Sequence, residues 1–234
     1  MRIVVNHLTR MRTQSRICVA GIDTETYAHV RPVTPPGDLI TRDLLRENGG
    51  PFAVGAVVDL GAAVPQPNPP ETEDHRFRTL DARFVRMLTP EDYWSVLGEV
   101  QAESLEEAFG SDLERRGRGF AIDAGRGTRS LAVVRAEDRP RLAVNSWGRL
   151  RVSFAYRGES VSLSVSDVRF TEPDHETVRR DVASDVDARL RRGVDTYMML
   201  GLSRAFTAAG DDHDRHWLQV NGLCLVDNPV GDPP

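Results

Sequence analysis

A chain of 234 residues is long enough to bury a real core, as one large domain or two small ones. Its 40% hydrophobic and 28% charged content is ordinary for a soluble globular protein, and the net charge of −5 denies it a uniformly basic surface. MRIVV (1–5) is too short for the core of a signal peptide and no later run approaches a membrane span, so a cytoplasmic protein without membrane contact is expected.

Two cysteines, Cys18 and Cys224, lie in apolar strand-like runs with no metal or redox spacing, and read as small core residues in a reducing compartment. All 30 basic residues are arginine, a bias typical of a GC-rich genome, so their placement says more than their number. Residues 89–114 hold eight acids and no arginine, whereas residues 115–170 hold twelve arginines against five acids. Segregation of this size can build a basic face on an acidic protein.

In chain order, MRIVV and RICVAGID (16–23) are β-branched apolar runs, and AHVRPV (28–33) alternates. TRDLLRENGG (41–50) predicts a short helix, with Thr41 as cap and Gly49-Gly50 as stop. FAVGAVVDLGAAV (52–64) is strand-like, PQPNPP (65–70) an extended loop, and HRFRTLDARFVRML (75–88) closes this half with two-residue alternation. TPEDYWSVLGEVQAESLEEAF (89–109) predicts an acidic helix with Thr89 at its cap and Pro90 at its first position. ERRGRGFAIDAGRGT (114–128) reads as a Gly/Arg linker.

Beyond the linker come SLAVVRAE (130–137), then RLRVSFAYRG (149–158) and ESVSLSVSDVRF (159–170), a hairpin turned at Arg157-Gly158. A helix over 174–192 shows an apolar stripe at Val178, Val182, Val186 and Leu190 and stops at Gly193. DTYMMLGL (195–202) and HWLQVNGLCLV (216–226) are the last strands. Both halves thus read β-β-β-α-β-β. Most strands are joined by turns too short for a parallel crossover, which disfavours a βαβ fold. The expected architecture is mainly β: two OB-like Greek-key barrels at 1–88 and 128–228, joined by the acidic helix and linker at 89–127, with a flexible tail at 229–234.

An OB barrel grips ligands across its second and third strands with the loops joining strands 1–2 and 4–5. On that scheme the first gripping loop is NHLTRMRTQSR (6–16), with His7, Arg10 and Arg12, beside His29 and Arg31 on the third strand. In the second half the 1–2 loop is DRPRLAVNSWGR (138–149), where Trp147 sits among Arg139, Arg141 and Arg149 as a base-stacking platform requires. SRAFTAAGDDHDRH (203–216) is the other grip, with Arg204 and Phe206 at one end. Its tip, DDHDRH, collects carboxylates and imidazoles, but its spacing matches no dedicated metal site. GRGFAIDAGRG lacks the ending and context of a phosphate loop, and no nucleophilic triad emerges. No cofactor, metal or catalytic residue is assigned.

MRIVVNHLTRM, ICVAGID followed by HVRPV, and GLSRAF followed by HWLQVNGL resemble, from end to end, the dual OB-containing domain family of bacterial proteins. GLSRAF departs from the GLTRPF-like form at Ser203 and Ala205. The resemblance implies two OB-like barrels and, by analogy, nucleic-acid association, without an established reaction. The leading expectation is therefore a non-enzymatic module for single-stranded or structured nucleic acid, alone or as part of a larger complex. Arg10, Arg12, Arg31 and Arg204 would contact phosphates, and Trp147 or Trp217 would stack on a base. The alternatives are a protein-interaction adaptor and, third, a metal-dependent phosphodiester enzyme using Asp211, Asp212, His213 and His216.

Overall fold

A computed structural model describes residues 1–11, 13, 15–136 and 138–230. In the first half, β1 (Arg2–Arg10), β2 (Ile17–Asp23), β3 (His29–Val33), β4 (Ala56–Asp59), β5 (Val64–Pro65), β6 (Asp74–Arg76) and β7 (Arg83–Met87) form one sheet in the order β5-β6-β3-β2-β1-β4-β7. β6 runs parallel to β3, while β7 is antiparallel to β4. These two strands lie toward opposite ends of the sheet but are joined through residues 77–82 alone, so the sheet must curl back on itself. The expected helix at 41–50 is instead two 3-10 turns, Arg42–Leu44 and Arg46–Asn48. Leu45 is buried between them, and the backbone pairs Arg46 N–Phe52 O and Phe52 N–Leu44 O engage groups that an α-helix would need.

The acidic segment divides in two. α1 (Pro90–Glu99) is capped by Thr89, whose hydroxyl accepts from the Asp92 amide at 3.1 Å. β8 (Gln101–Ala102) then interrupts, and Ser104 caps a second helix, α2 (Leu105–Phe109), by accepting from the Glu107 amide. The expected continuous helix ends early because Ser104 offers a new cap and residues 101–102 pair with a strand of the second half. The expected linker is not one: β9 (Glu114–Arg116) and β10 (Gly119–Asp123) form a hairpin at the edge of the second sheet. Phe120 and Ile122 are buried there, two apolar side chains on alternate positions that the glycines and arginines around them disguise.

β11 (Leu131–Arg135), β12 (Arg141–Val144), β13 (Leu150–Tyr156) and β14 (Glu159–Ser164) follow, then α3 (Arg180–Arg191), β15 (Thr196–Leu202) and β16 (Arg215–Leu225). Two sheets result, β8-β11-β15-β16-β10-β9 and β12-β13-β14. A parallel bridge, Val165 to Val220, links the end of β14 to β16, and β12 continues the chain from β11, so these strands also complete a circuit. α3 starts later than expected. The Asp174 carboxylate accepts from the Glu176 and Thr177 amides, a local turn that competes with helix, and Thr171 bridges to Val178.

The two halves are packed together. Thr9 bridges to Asp167, and the Arg10 amide donates to the Ser166 carbonyl at 2.8 Å. Val133, Tyr197, Met199 and Cys224 join the core beneath β1, and Trp94 of α1 stacks 4.4 Å from Tyr197. Among the described residues no helix is long and apolar enough to cross a membrane.

Candidate nucleic-acid interface

β1 runs nine residues and leaves only 11–16 for its loop, which moves His7 out of the expected grip and onto a strand. There it pairs with Ala20 and is 1% exposed. Burial, with the nearby charges of His29 and Arg31 adding, holds its imidazole well below the usual histidine value. Arg10 closes the strand and donates to the His175 carbonyl at 3.1 Å. Arg12 lies outside the described residues.

β3 carries His29 and Arg31. Arg31 does not face solvent: its Nε meets Asp74 Oδ1 at 2.5 Å, with both side chains buried. Arg204, from the loop after β15, bonds Asp74 Oδ2 at 3.2 Å and Glu71 Oε1 at 3.0 Å. His216 Nδ1 sits 2.9 Å from the Ser203 carbonyl and 3.6 Å from Glu71. Glu73 accepts from the Ser130 amide, the Ser130 hydroxyl and the Leu131 amide. The stretch after the proline loop thus docks three carboxylates onto the second half. Sequence reasoning passed over Glu71, Glu73 and Asp74; the only signal was a group of acids directly after PQPNPP, a stretch that showed no sign of binding.

The second half presents a different surface. The expected loop 138–149 is mostly strand, because Leu142 and Leu150 are buried and β12 pairs along β13; only residues 145–148 turn. Trp147 stands on that turn 84% exposed, positioned by the Asn145 side chain, which accepts from the Trp147 and Arg149 amides. A groove of about 360 Å3 beside it is lined by Arg118, Asn145, Arg151, Ser153 and Ser162. Arg151 donates from Nε to the Ser162 hydroxyl at 2.9 Å, and Arg118 to the Ser160 hydroxyl at 2.9 Å. Burial first, then the like charge of Arg118, lowers the Arg151 pKa; burial and Arg149, against Glu176, do the same for Arg10. The charge of Arg149 thus acts on Arg10 and that of Arg118 on Arg151, and Trp147 precedes Arg149 and Arg151 by two and four residues. A larger groove of about 500 Å3 between α3 and β12 has no aromatic lining, and its Arg191 is paired with Asp187 at 2.7 Å.

Of the remaining candidates, Arg139 is exposed and lies against Gly193 at the C-terminal end of α3, where a cation is favourable. Trp217 is half-buried, 6.4 Å from the Phe206 ring. The tip 211–216 does not converge on a metal. His213 is bonded to Asp123 and Asp212, Arg215 to Asp123 and Asp211, and His216 turns the other way, toward Ser203. Among the described residues no three His, Cys, Asp or Glu side chains are placed to hold a metal ion.

Residues 1–223 match the family model described as a dual OB-containing domain. No curated protein matches the chain.

Proposed function

The chain belongs to the dual OB-containing domain family, and from that premise we propose that it is a non-enzymatic module that binds single-stranded or structured nucleic acid through the face around Trp147. OB folds take ligands over strands 2 and 3, gripped by the loop between strands 1 and 2. The turn 145–148 joins β12 to β13, and on this reading it serves as the gripping loop of the second half. One observation carries the reading: a tryptophan left 84% exposed beside a groove flanked by two arginines. A bare indole is costly in water unless something stacks on it, and every base has a face to offer. Arg118, Arg151, Arg149 and Arg10 would follow the backbone. Arg31 and Arg204 are engaged by carboxylates and drop out of that role. Unpaired Cys18 and Cys224 fit the reducing cytoplasm.

The test is titration of labelled oligonucleotides over a salt series. Trp147→Ala weakens binding by about 1–3 kcal/mol and leaves the log–log salt slope unchanged, because stacking releases no counterions. Arg118→Gln or Arg151→Gln flattens that slope by about 0.7 per lost contact on a single strand. Absence of binding at low salt would hand the face to a second reading, a protein adaptor. That reading is favoured by β7, an end strand of its sheet that exposes Val85 and Met87.

A further inference from the structure

One face of β1, β2 and β3 gathers polar groups that the Trp147 reading does not use. His7 pairs with Ala20, and Ile22 with His29. Continuing the β2–β3 register by two residues sets Arg31 opposite Ala20, so His7 and Arg31 flank a methyl group. Both ring nitrogens of His7, Nδ1 of His29 and Nη2 of Arg31 are buried without a hydrogen-bond partner. His7 is 1% and Arg31 4% exposed. Folded proteins leave few such groups unpaired.

What these groups have in common is N–H to donate. Arg31 can only donate, and each imidazole offers at least one N–H. The carboxylates nearby are engaged: Asp74 by Arg31 and Arg204, Glu73 by Ser130 and Leu131. The unmet demand is for one acceptor-rich group touching three donors, which a tetrahedral oxyanion supplies. The site also has an entrance. His29 is only partly buried, and the charge of exposed Arg129 acts on it. The backbone beside Arg129 is anchored, since the next residue, Ser130, is bonded to Glu73.

We propose that His7, His29 and Arg31 form a binding site for a small oxyanion of the phosphate class, entered past Arg129. The site stands apart from the Trp147 face. Its ligand can be free phosphate or the terminal phosphate of a nucleotide.

The experiment titrates the full chain with inorganic phosphate at constant ionic strength, following the His7 and His29 imidazole resonances and the melting temperature. Both resonances should shift and saturate together, and the melting temperature should rise with the same apparent Kd. Arg129→Gln, at an exposed position, should weaken binding severalfold. Ala20→Val, which adds bulk between His7 and Arg31 and keeps every donor, should weaken it at least about tenfold, the equivalent of one charge-assisted contact. Should Ala20→Val not fold, His29→Asn takes its place. A 5′-phosphorylated dinucleotide compared with its unphosphorylated form separates a terminal phosphate from free phosphate. Trp147→Ala should leave the phosphate response intact, so either site can fail without the other. Resonances that stay fixed at millimolar phosphate, or variants that bind as well as wild type, would mean that the donors meet only water and would overturn the proposal.

Discussion

Arg204 and Asp74 meet at 3.2 Å although 130 residues separate them. Asp74 also receives Arg31 at 2.5 Å, so one buried carboxylate serves guanidinium groups from both halves of the chain. Loops that would grip a ligand in an isolated OB barrel here grip each other.

That sharing predicts unequal costs. Asp74→Ala strands the buried Arg31 without a counterion and should cost about 3–5 kcal/mol. Arg204→Ala removes a half-exposed partner from Asp74, which Arg31 still holds, and from Glu71, which keeps only Asn68 and His216, and should cost less, about 1–2 kcal/mol. Urea midpoints of the two variants check the order; equal losses would show that Arg31 does not depend on Asp74.

Two histidines of the first sheet, His7 buried and His29 partly so, predict an acid limb of stability. Burial, with Arg129 adding, lowers the His29 pKa to about 4, against an unfolded value near 6.5. Between those values the unfolded chain binds more protons, so stability is full above about pH 6.5 and falls as pH drops toward 4. His7 acts in the same direction. Denaturation curves from pH 7 to 4 should show the decline, and His29→Asn should flatten it.

At the tip before β16 the sign reverses. The hydrogen bond to Asp123 is the leading cause of the raised His213 pKa. Pairing of His213⁺ is present below the histidine's unfolded pKa and is lost as pH rises through the raised value. Asp123→Asn should lower the His213 pKa in an NMR titration, while Asp212→Ala, at a highly exposed residue, should leave the urea midpoint unchanged.

The β13–β14 hairpin turns through Arg157 and Gly158 with φ of 51° and 78°, a pair of left-handed residues suited to the strand twist. Gly158→Ala should cost about 1 kcal/mol. Arg157→Asn gives up an exposed ion pair with Glu106 but accepts the left-handed conformation more readily, and should be neutral or slightly stabilising. Thermal melts resolve the two.

Much of the architecture was legible because it is local. Alternation in β13 and β14, the dipeptide turn between them and the Thr89–Pro90 helix start depend on neighbours a few residues apart, and each formed as its pattern indicates. Where local signals compete, the pattern misleads. Residues 41–50 have a helix's composition but not its hydrogen bonds, and Phe120 and Ile122 form a strand among glycines that look like a linker.

The candidate site divides along the same line. Trp147 was visible from sequence, since an indole between a polar turn and several arginines is unusual wherever the chain goes. The fates of Arg31 and Arg204 were not. A guanidinium reads the same in sequence whether it faces water, a phosphate or a carboxylate, and only packing brought Asp74 and Glu71 to them. Most of the long strands, the β13–β14 turn and the family could be read from local pattern; packing made strands of residues 114–123 and 141–144 and set which charges are spent inside the molecule and which remain for a partner. Pairing of buried charge depends on distances between chain segments 43 residues apart for Arg31 and Asp74 and 130 for Arg204 and Asp74, and no local periodicity encodes those.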